Sequence, residues 1–236
     1  MQPIDVGDWR PVLVTGTDAL TWLNDLVSAG IGDGPVRSLL LTPTGRIRAD
    51  FHVIPRDDGF LLLQDPVQPK PVDALLSLYV LSSDVTLSKG PLPTIAWEGD
   101  RLVPTASPVD DSERLDTAAF EVWRIREGIP RFGLDLDEDS LPQEAGWERF
   151  IDFTKGCFMG QEAMARIRNF EGHPTRVVRA MRASEPPVAG ETVLADGKEV
   201  GFVTSSAGTD VIVRISWSAR EAALRTAGGV GLSDRA

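Results

Sequence analysis

From residue 175 onward the chain is a succession of short β runs, and this constrains its fold more than any other feature. The runs at 175–181, 191–195, 198–204 and 210–217 are rich in Val, Ile and Thr and are separated by Gly- and Pro-containing turns. Asp196-Gly197, between the second and third, is a strong hairpin signal, because both central residues of such a turn adopt positive φ. Several short strands in about 60 residues specify a small barrel or sandwich. Residues 218–227 read as a helix ended by Gly228-Gly229, with the last residues frayed.

The N-terminal part has a different texture. A strand at 11–14 leads into Gly16-Thr17-Asp18, where Thr17 or Asp18 can cap a helix carrying Leu20, Leu23, Leu26 and Val27 on one face, with Trp22 and Asn24 on its flank. Residues 36–42 and 47–54 are strand-like, and Pro43-Thr44-Gly45-Arg46 between them has the chemistry of a hairpin turn. A strand at 60–64, a helix opened by Pro71 and running through Val72, Leu75, Leu76 and Tyr79, and a strand at 84–87 follow. That order predicts an α+β layer in which a helix covers an antiparallel sheet. Residues 91–111 are loop-rich, with room for one or two short strands. Asp116 or Thr117 caps a further helix holding Phe120 and Trp123 and closed by Gly128. Residues 133–140 form a polar, acidic loop, Pro142 suits another helix start, and Trp147, Phe150 and Ile151 read as core residues.

A length of 236 residues supports a well-buried core in one or two domains. The net charge of -11 argues against nucleic-acid or anionic-membrane partners, both of which need a basic face. No apolar run is long enough to span a membrane, and the first residues lack a signal-peptide pattern, so the expected location is cytoplasmic. Acids predominate from Asp110 to Glu144. Between residues 155 and 182, however, Lys155, Arg166, Arg168, Arg176, Arg179 and Arg182 face only Glu162 and Glu171. Such an island is either a solvated face or a receiver for the carboxylates of a small anionic ligand.

The island begins with Lys155-Gly-Cys-Phe-Met-Gly-Gln-Glu-Ala-Met-Ala-Arg166, which holds the only cysteine of the chain. Gly156 and Gly160 bracket the thiol and permit a tight turn. From Gly160 the residues favour helix, with Ala163, Ile167 and Phe170 as an apolar stripe, until Gly172-His173-Pro174 ends it. Cys157 thus precedes a helix N-terminus and lies two residues from Lys155, a setting that favours thiolate. Glu162 and Arg166, four apart, can pair along the helix, or Arg166 can be held to receive an anion. From the residues alone Cys157 is either such a reactive thiol or a small buried hydrophobe.

The Lys155 to Arg166 string resembles the signature of the YgfZ group within the folate-binding, aminomethyltransferase-like (GcvT) superfamily. Gly16-Thr-Asp-Ala-Leu20 with Leu23-Asn-Asp-Leu26, Leu41-Thr-Pro-Thr-Gly-Arg-Ile47 followed by Asp50, Trp123-Arg-Ile-Arg-Glu-Gly-Ile-Pro130 and Leu141-Pro-Gln-Glu-Ala145 resemble further segments of that family. So do Gly190-Glu-Thr-Val193 and Val200-Gly-Phe-Val-Thr-Ser205, so the likeness covers nearly the whole chain. It implies α+β modules around a central folate-sized hole in residues 1–172, the second module at about 50–115, with a small C-terminal β-barrel at 173–236. Tetrahydrofolate, or a substituted form, is the implied cofactor, and iron-sulfur client or assembly proteins are the implied partners. Cys157 is then the functional thiol, Lys155, Gln161, Glu162 and Arg166 shape its turn and anion site, and Asp50 faces the pterin as the second catalytic candidate. Two departures stand out. Ala49-Asp50 occupies the place of adjacent acids in true aminomethyltransferases, and Arg126 stands where the folate enzymes place a glutamate, with Glu127 displaced by one. Both argue against classical glycine-cleavage chemistry, which needs a positioned acid or base.

One thiol and two distant histidines, His52 and His173, are too few for a self-contained cluster or zinc site, so no stably bound metal is expected. His52, inside a strand pattern, reads as a structural histidine satisfied by a partner. The leading expectation is a tetrahydrofolate-binding accessory protein for iron-sulfur enzymes, acting through Cys157. The alternatives are a folate-dependent one-carbon transferase and a non-catalytic scaffold.

Overall fold

The computed structural model describes residues 1–5, 7–105, 114–169 and 172–235. Phe170 of the expected helix stripe, Glu171, and the acids among residues 110–113 lie outside the described residues. The chain forms two compact units, Met1–Thr117 with Glu148–Arg168, and Ala118–Trp147 with Asn169–Ala236.

The first unit opens with β1 (Gln2–Ile4), β2 (Arg10–Thr15), α1 (Ala19–Leu26), β3 (Val36–Leu41), β4 (Ile47–Arg56), β5 (Gly59–Gln64), α2 (Val72–Leu76), β6 (Thr86–Lys89), β7 (Ile95–Glu98) and β8 (Arg101–Pro104). The chain then enters the second unit with α3 (Thr117–Glu127), returns to the first with α4 (Gln161–Asn169), and ends in β9 (Arg176–Ala183), β10 (Thr192–Ala195), β11 (Lys198–Ala207), β12 (Asp210–Ser216), β13 (Leu224–Thr226) and β14 (Gly231–Asp234). Strands β3-β4-β5-β2-β6 make one antiparallel sheet and β1-β7-β8 a second. The two strands of the loop-rich stretch are therefore β7 and β8.

Trp22, Leu23 and Leu26 of α1 and Leu75 and Leu76 of α2 pack with Leu40, Phe51 and Leu62 of the larger sheet. Each such side chain contributes about 1.5–3 kcal/mol by leaving water. The α1 face is rotated from the expected one: Leu20 is 48% exposed and Trp22 is core, its indole N–H donating to the Tyr79 carbonyl at 3.0 Å. A large ring with a satisfied polar tip outcompetes a leucine for that place. Asp18 is the N-cap of α1, but its carboxylate accepts from the Asp84 backbone N–H at 2.8 Å, while Thr17 donates to the Asp84 carboxylate at 2.8 Å. The polar pair thus ties the helix start to the approach of β6.

In the second unit the six strands close as β10-β11-β12-β9-β14-β13, around Val193, Val203, Val211, Val213, Ile215, Leu224 and Leu232. Asp196 and Gly197 have φ of 49° and 76°, as a two-residue hairpin with matching twist requires. The expected helix at 218–227 does not form. A single 3-10 turn, Trp217–Ala219, gives way to β13, in which Leu224 and Thr226 are buried and Arg225 is exposed. That period of two fits a strand closing a barrel. Residues 231–234 are not frayed either, since β14 pairs with both β9 and β13.

The acidic loop at 133–140 is built into the second unit. Arg124 of α3 is fully buried and donates to Asp135 at 2.6 Å, to Glu121 at 2.7 Å and to the Ser205 hydroxyl at 2.6 Å. Arg214 of β12 donates to Glu144 at 2.9 Å and to Asp137 at 2.7 Å. Buried charges persist only when paired in this way.

Candidate functional site

The turn from Lys155 to Gly160 is anchored through Lys155, Phe158, Met159 and Gly160. Lys155 extends its ammonium to the end of α1 and donates to the carbonyls of Asn24, at 2.6 Å, and Val27. Carbonyls at a helix C-terminus have no partner within the helix and carry the negative end of its dipole, so a cation is the natural cap. Burial lowers the Lys155 pKa to about 8, against the opposing charges of Asp152 and Asp25. Phe158 is buried, with the Lys155 ammonium 5.1 Å from its ring centroid, and the Met159 sulfur accepts from the Tyr79 hydroxyl at 3.5 Å. Gly160 has a φ of 85°, and a Cβ there would lie 2.6 Å from the Thr42 carbonyl oxygen. Gly45, φ 81°, makes the reciprocal contact, its own absent Cβ falling 2.2 Å from the Met164 methyl of α4. The β3–β4 hairpin and the start of α4 therefore seat on each other through two glycines. Gly156 differs, with open space where a Cβ would stand.

Cys157 alone points outward. Its side chain is exposed and free, at the edge of a cleft of about 420 Å³ lined also by Asn24, Asp25, Ile31, Asp152 and Lys155. Exposure removes the buried-hydrophobe reading. Glu162 and Arg166 pair with each other at 2.7 Å on α4, both largely in solvent at 81% and 71% side-chain exposure. Gln161 opens α4, its backbone N–H bonded to the Phe158 carbonyl at 3.2 Å.

A second cleft, of about 540 Å³, lies in the same unit and is lined by Gly30, Arg37, Asp100, Arg101, Arg149 and Phe150, among others. Gly30 and Asp152 line both clefts. Asp152 binds Thr154 through one carboxylate oxygen, at 2.8 Å to the backbone N–H and 2.6 Å to the hydroxyl, which holds its pKa below the usual carboxylate range. A Cβ on Gly30 would lie 2.5 Å from the other oxygen, so a side chain there would push the Asp152 carboxylate aside. Ser28 links the neighbouring segments, donating to the Phe150 carbonyl at 2.8 Å and accepting the Leu39 N–H at 2.9 Å.

Asp50 is not part of the lining of either cleft; both of its carboxylate oxygens are taken by Arg37, at 2.8 and 2.6 Å. The two side chains are 9% and 3% exposed. Gln68 accepts from the Asp50 backbone N–H at 3.1 Å and donates to its carbonyl at 2.5 Å, completing the strand where β5 pairing begins only at Phe51. His52 faces the same way and is buried; its Nδ1 accepts from the Leu102 N–H at 3.1 Å, and burial, reinforced by Arg37, lowers its pKa well below the ordinary value. It is the satisfied structural histidine its strand context predicts. Glu127 is exposed at the end of α3 in the second unit.

The basic island is divided between the two units. Lys155, Arg166 and Arg168 belong to the first unit and Arg176, Arg179 and Arg182 to β9 of the second, where Arg179 pairs with Asp234 and Arg182 with Asp210. Sequence reasoning passed over Arg37, Arg101 and Arg149. The period of β3 held a clue to the first, since it puts Arg37 and Leu39 opposite His52 and Asp50 on one face. Among the described residues no group of three or more His, Cys, Asp or Glu is placed to hold a metal, and no helix is long and apolar enough to cross a membrane.

No family model matches the chain. It is 26% identical to the tRNA-modifying protein YgfZ of Vibrio vulnificus over 66% of this chain and 50% of that one. An uncharacterized protein of Haemophilus influenzae is 23% identical over 90% of this chain and 86% of its own length. The first curated relatives it matches, aminomethyltransferases prominent among them, are spanned over only 22% to 24% of their own length. The structure aligns with the glycine cleavage system aminomethyltransferase T of Bartonella henselae at a TM-score of 0.80, covering 100% of this chain and 85% of that one at 17% identity. Fold and sequence likeness together define a GcvT-like protein with a closed six-stranded barrel. Within that class the sequence likeness that covers most of the chain is to the YgfZ type.

Proposed function

We propose that this protein binds tetrahydrofolate, or a substituted form, and supports the assembly or repair of iron-sulfur enzymes by presenting Cys157 to a client or assembly protein in the cytoplasm. The observation that carries the reading is the contrast within one turn: Lys155, Phe158, Met159 and Gly160 are each engaged, while the Cys157 thiol stands exposed at a cleft. A turn held this firmly offers its free group in a defined direction, which is what transfer to a partner requires.

The folate half draws on the likeness to YgfZ and aminomethyltransferases and on fit. Phe150 and the surrounding guanidinium groups of the larger cleft suit a ligand that joins an aromatic ring to carboxylates. When bound, tetrahydrofolate supplies a one-carbon carrier; the residues of the chain bind and orient it. Asp50 is poorly suited to proton transfer while Arg37 occupies both its oxygens, which favours the accessory reading over a one-carbon transferase. A net charge of -11 supports protein and small-molecule partners over direct nucleic-acid contact.

Calorimetry with tetrahydrofolate and with 5-formyltetrahydrofolate tests the first half. Saturable binding is expected, and silence with both would remove it. For the thiol, Cys157→Ser should keep folate affinity yet fail to restore iron-sulfur enzyme activity in cells lacking the chain. Full restoration by that variant would remove the thiol's role.

A further inference from the structure

We propose that Met159, two residues beyond the exposed thiol, is a site of reversible oxidation by hydroperoxides, and that Tyr79 and Arg48 form the receptor for its sulfoxide. The assignment goes beyond the folate and thiol reading and would stand without it. The chain has four methionines. Met164 and Met181 are 0% and 3% exposed, and Met1 is 75% exposed. Met159 lies between these extremes: it packs against the core of the first unit but is only partly buried, so a small oxidant has access to the side chain.

The position is marked by a mismatch between the sulfur and its neighbours. A thioether is a weak acceptor. Here it receives the Tyr79 hydroxyl at 3.5 Å, and the oxygen of that hydroxyl receives Arg48 Nη1 at 3.4 Å. The second contact is the only hydrogen bond of Arg48 among the described residues. A guanidinium carries five N–H donors and a phenol one more, so the pair has donating capacity that the sulfur does not take up. All three side chains are partly buried, where donors without good acceptors are costly.

Oxidation supplies the missing acceptor. A lone pair of the sulfur attacks one peroxide oxygen, and the S–O bond forms as the O–O bond breaks. With hydrogen peroxide the other oxygen leaves as hydroxide and takes the proton of the sulfur-bound hydroxyl, giving water. Sulfur loses two electrons and the peroxide gains them. The sulfoxide is polar, and the three rotatable bonds of methionine let its oxygen turn toward Tyr79 and Arg48. A methionine sulfoxide reductase reverses the step: two thiols become a disulfide and the oxygen leaves as water. Because Met159 helps to anchor the turn, a receptor for its oxidised form keeps that turn, and Cys157 with it, seated in the presence of peroxide.

Peroxide titration of the native protein, followed by alkylation of Cys157 and peptide mass spectrometry, reads the order of oxidation. Met159 should oxidise more than about tenfold faster than Met164 and Met181, which require local opening. Methionine sulfoxide reductase should then return it to the thioether. The receptor is tested in a Cys157→Ser background, where thiol oxidation contributes nothing. Oxidation of Met159 there should move the melting temperature by less than about 1 °C, whereas oxidised Tyr79→Phe and Arg48→Gln should each melt about 2–4 °C below their own reduced forms, the loss of roughly one hydrogen bond. Comparing each variant with its own reduced form removes the effect of the substitution on folding. Oxidation of Met159 no faster than that of Met164 and Met181, or its failure to be reduced again, overturns the site. Equal melting losses in the oxidised parent and in both variants overturn the receptor.

Discussion

Lys155 closes the C-terminal end of a helix that ended more than 120 residues earlier, its ammonium 2.6 Å from the Asn24 carbonyl oxygen. The lysine of the Lys-Gly-Cys string is thus a structural cap as well as a neighbour of the thiol. It fixes where Cys157 emerges and joins α1 to the turn before α4.

Lys155→Met should lower stability by about 1–2 kcal/mol, because two helix-end carbonyls lose their donor. The native protein should also show a pH signature that the variant lacks. With a pKa of about 8 in the folded state, below its unfolded value, Lys155 leaves the unfolded chain holding more protons between the two, so stability rises with pH through that window. The deprotonated amine keeps two N–H donors and can retain both bonds. Urea midpoints for native and variant proteins at pH 7.5 and pH 10 measure the difference, and parallel midpoints would contradict it.

Gly160→Ala should destabilise by about 1–3 kcal/mol, since its φ is left-handed and the new methyl would press on Thr42 and Leu41. Gly156→Ala, with nothing near its Cβ, should stay within about 0.5 kcal/mol of the native protein. Chemical denaturation of the two variants side by side checks the contrast. Similar losses would mean that Gly160 is not the glycine that seats α4.

Asp50→Asn should cost about 3–5 kcal/mol by removing the carboxylate charge that faces the buried Arg37 guanidinium. Arg37→Met/Asp50→Leu, which removes both charges, should cost less than either single charge removal. A double-mutant cycle from equilibrium unfolding gives the coupling; additive losses would show that the pair is not an energetic unit.

His52 gives an acid dependence of the opposite kind to a salt-bridged cation. Because its folded pKa is depressed, its stabilising contribution is complete above the unfolded value of about 6.5 and is lost as pH falls toward the folded pKa. The melting temperature should therefore drop between pH 7 and pH 5, and His52→Gln should flatten that drop. A slope unchanged in the variant would assign it to other groups.

Arg235 donates to the carbonyls of Ile125 and Arg126 at 2.6 Å each, capping α3 from the far end of the chain. Arg235→Ala should lower stability by about 1–2 kcal/mol, measurable as a shift in urea midpoint, whereas a truly frayed terminus would show none.

Local signals made much of the fold legible. The Pro43 to Arg46 hairpin, the Asp196-Gly197 turn, the helix closed by Gly128 and the strands of the barrel follow from turn chemistry and periodicity, which act over a few residues. The same holds for the turn that precedes α4. Where periodicity was ambiguous the tertiary context decided: Trp22 displaced Leu20 from the core, and residues 224–226 became a strand because the barrel needed closing. Charge partners were the least legible part of the candidate site. Sequence spacing identified Glu162 with Arg166, a helical neighbour pair, but Arg37 with Asp50 depends on strand register and Lys155 with Asn24 on long-range packing.

The sequence by itself determined that an exposed or buried thiol would sit on a glycine-flanked turn at a helix start, because those preferences are local. Only the tertiary structure decided that the thiol is exposed, that Lys155 beside it serves α1, and that the Asp50 carboxylate is spent on Arg37. Burial and partnership are properties of surfaces brought together from distant parts of the chain, and no short segment contains them.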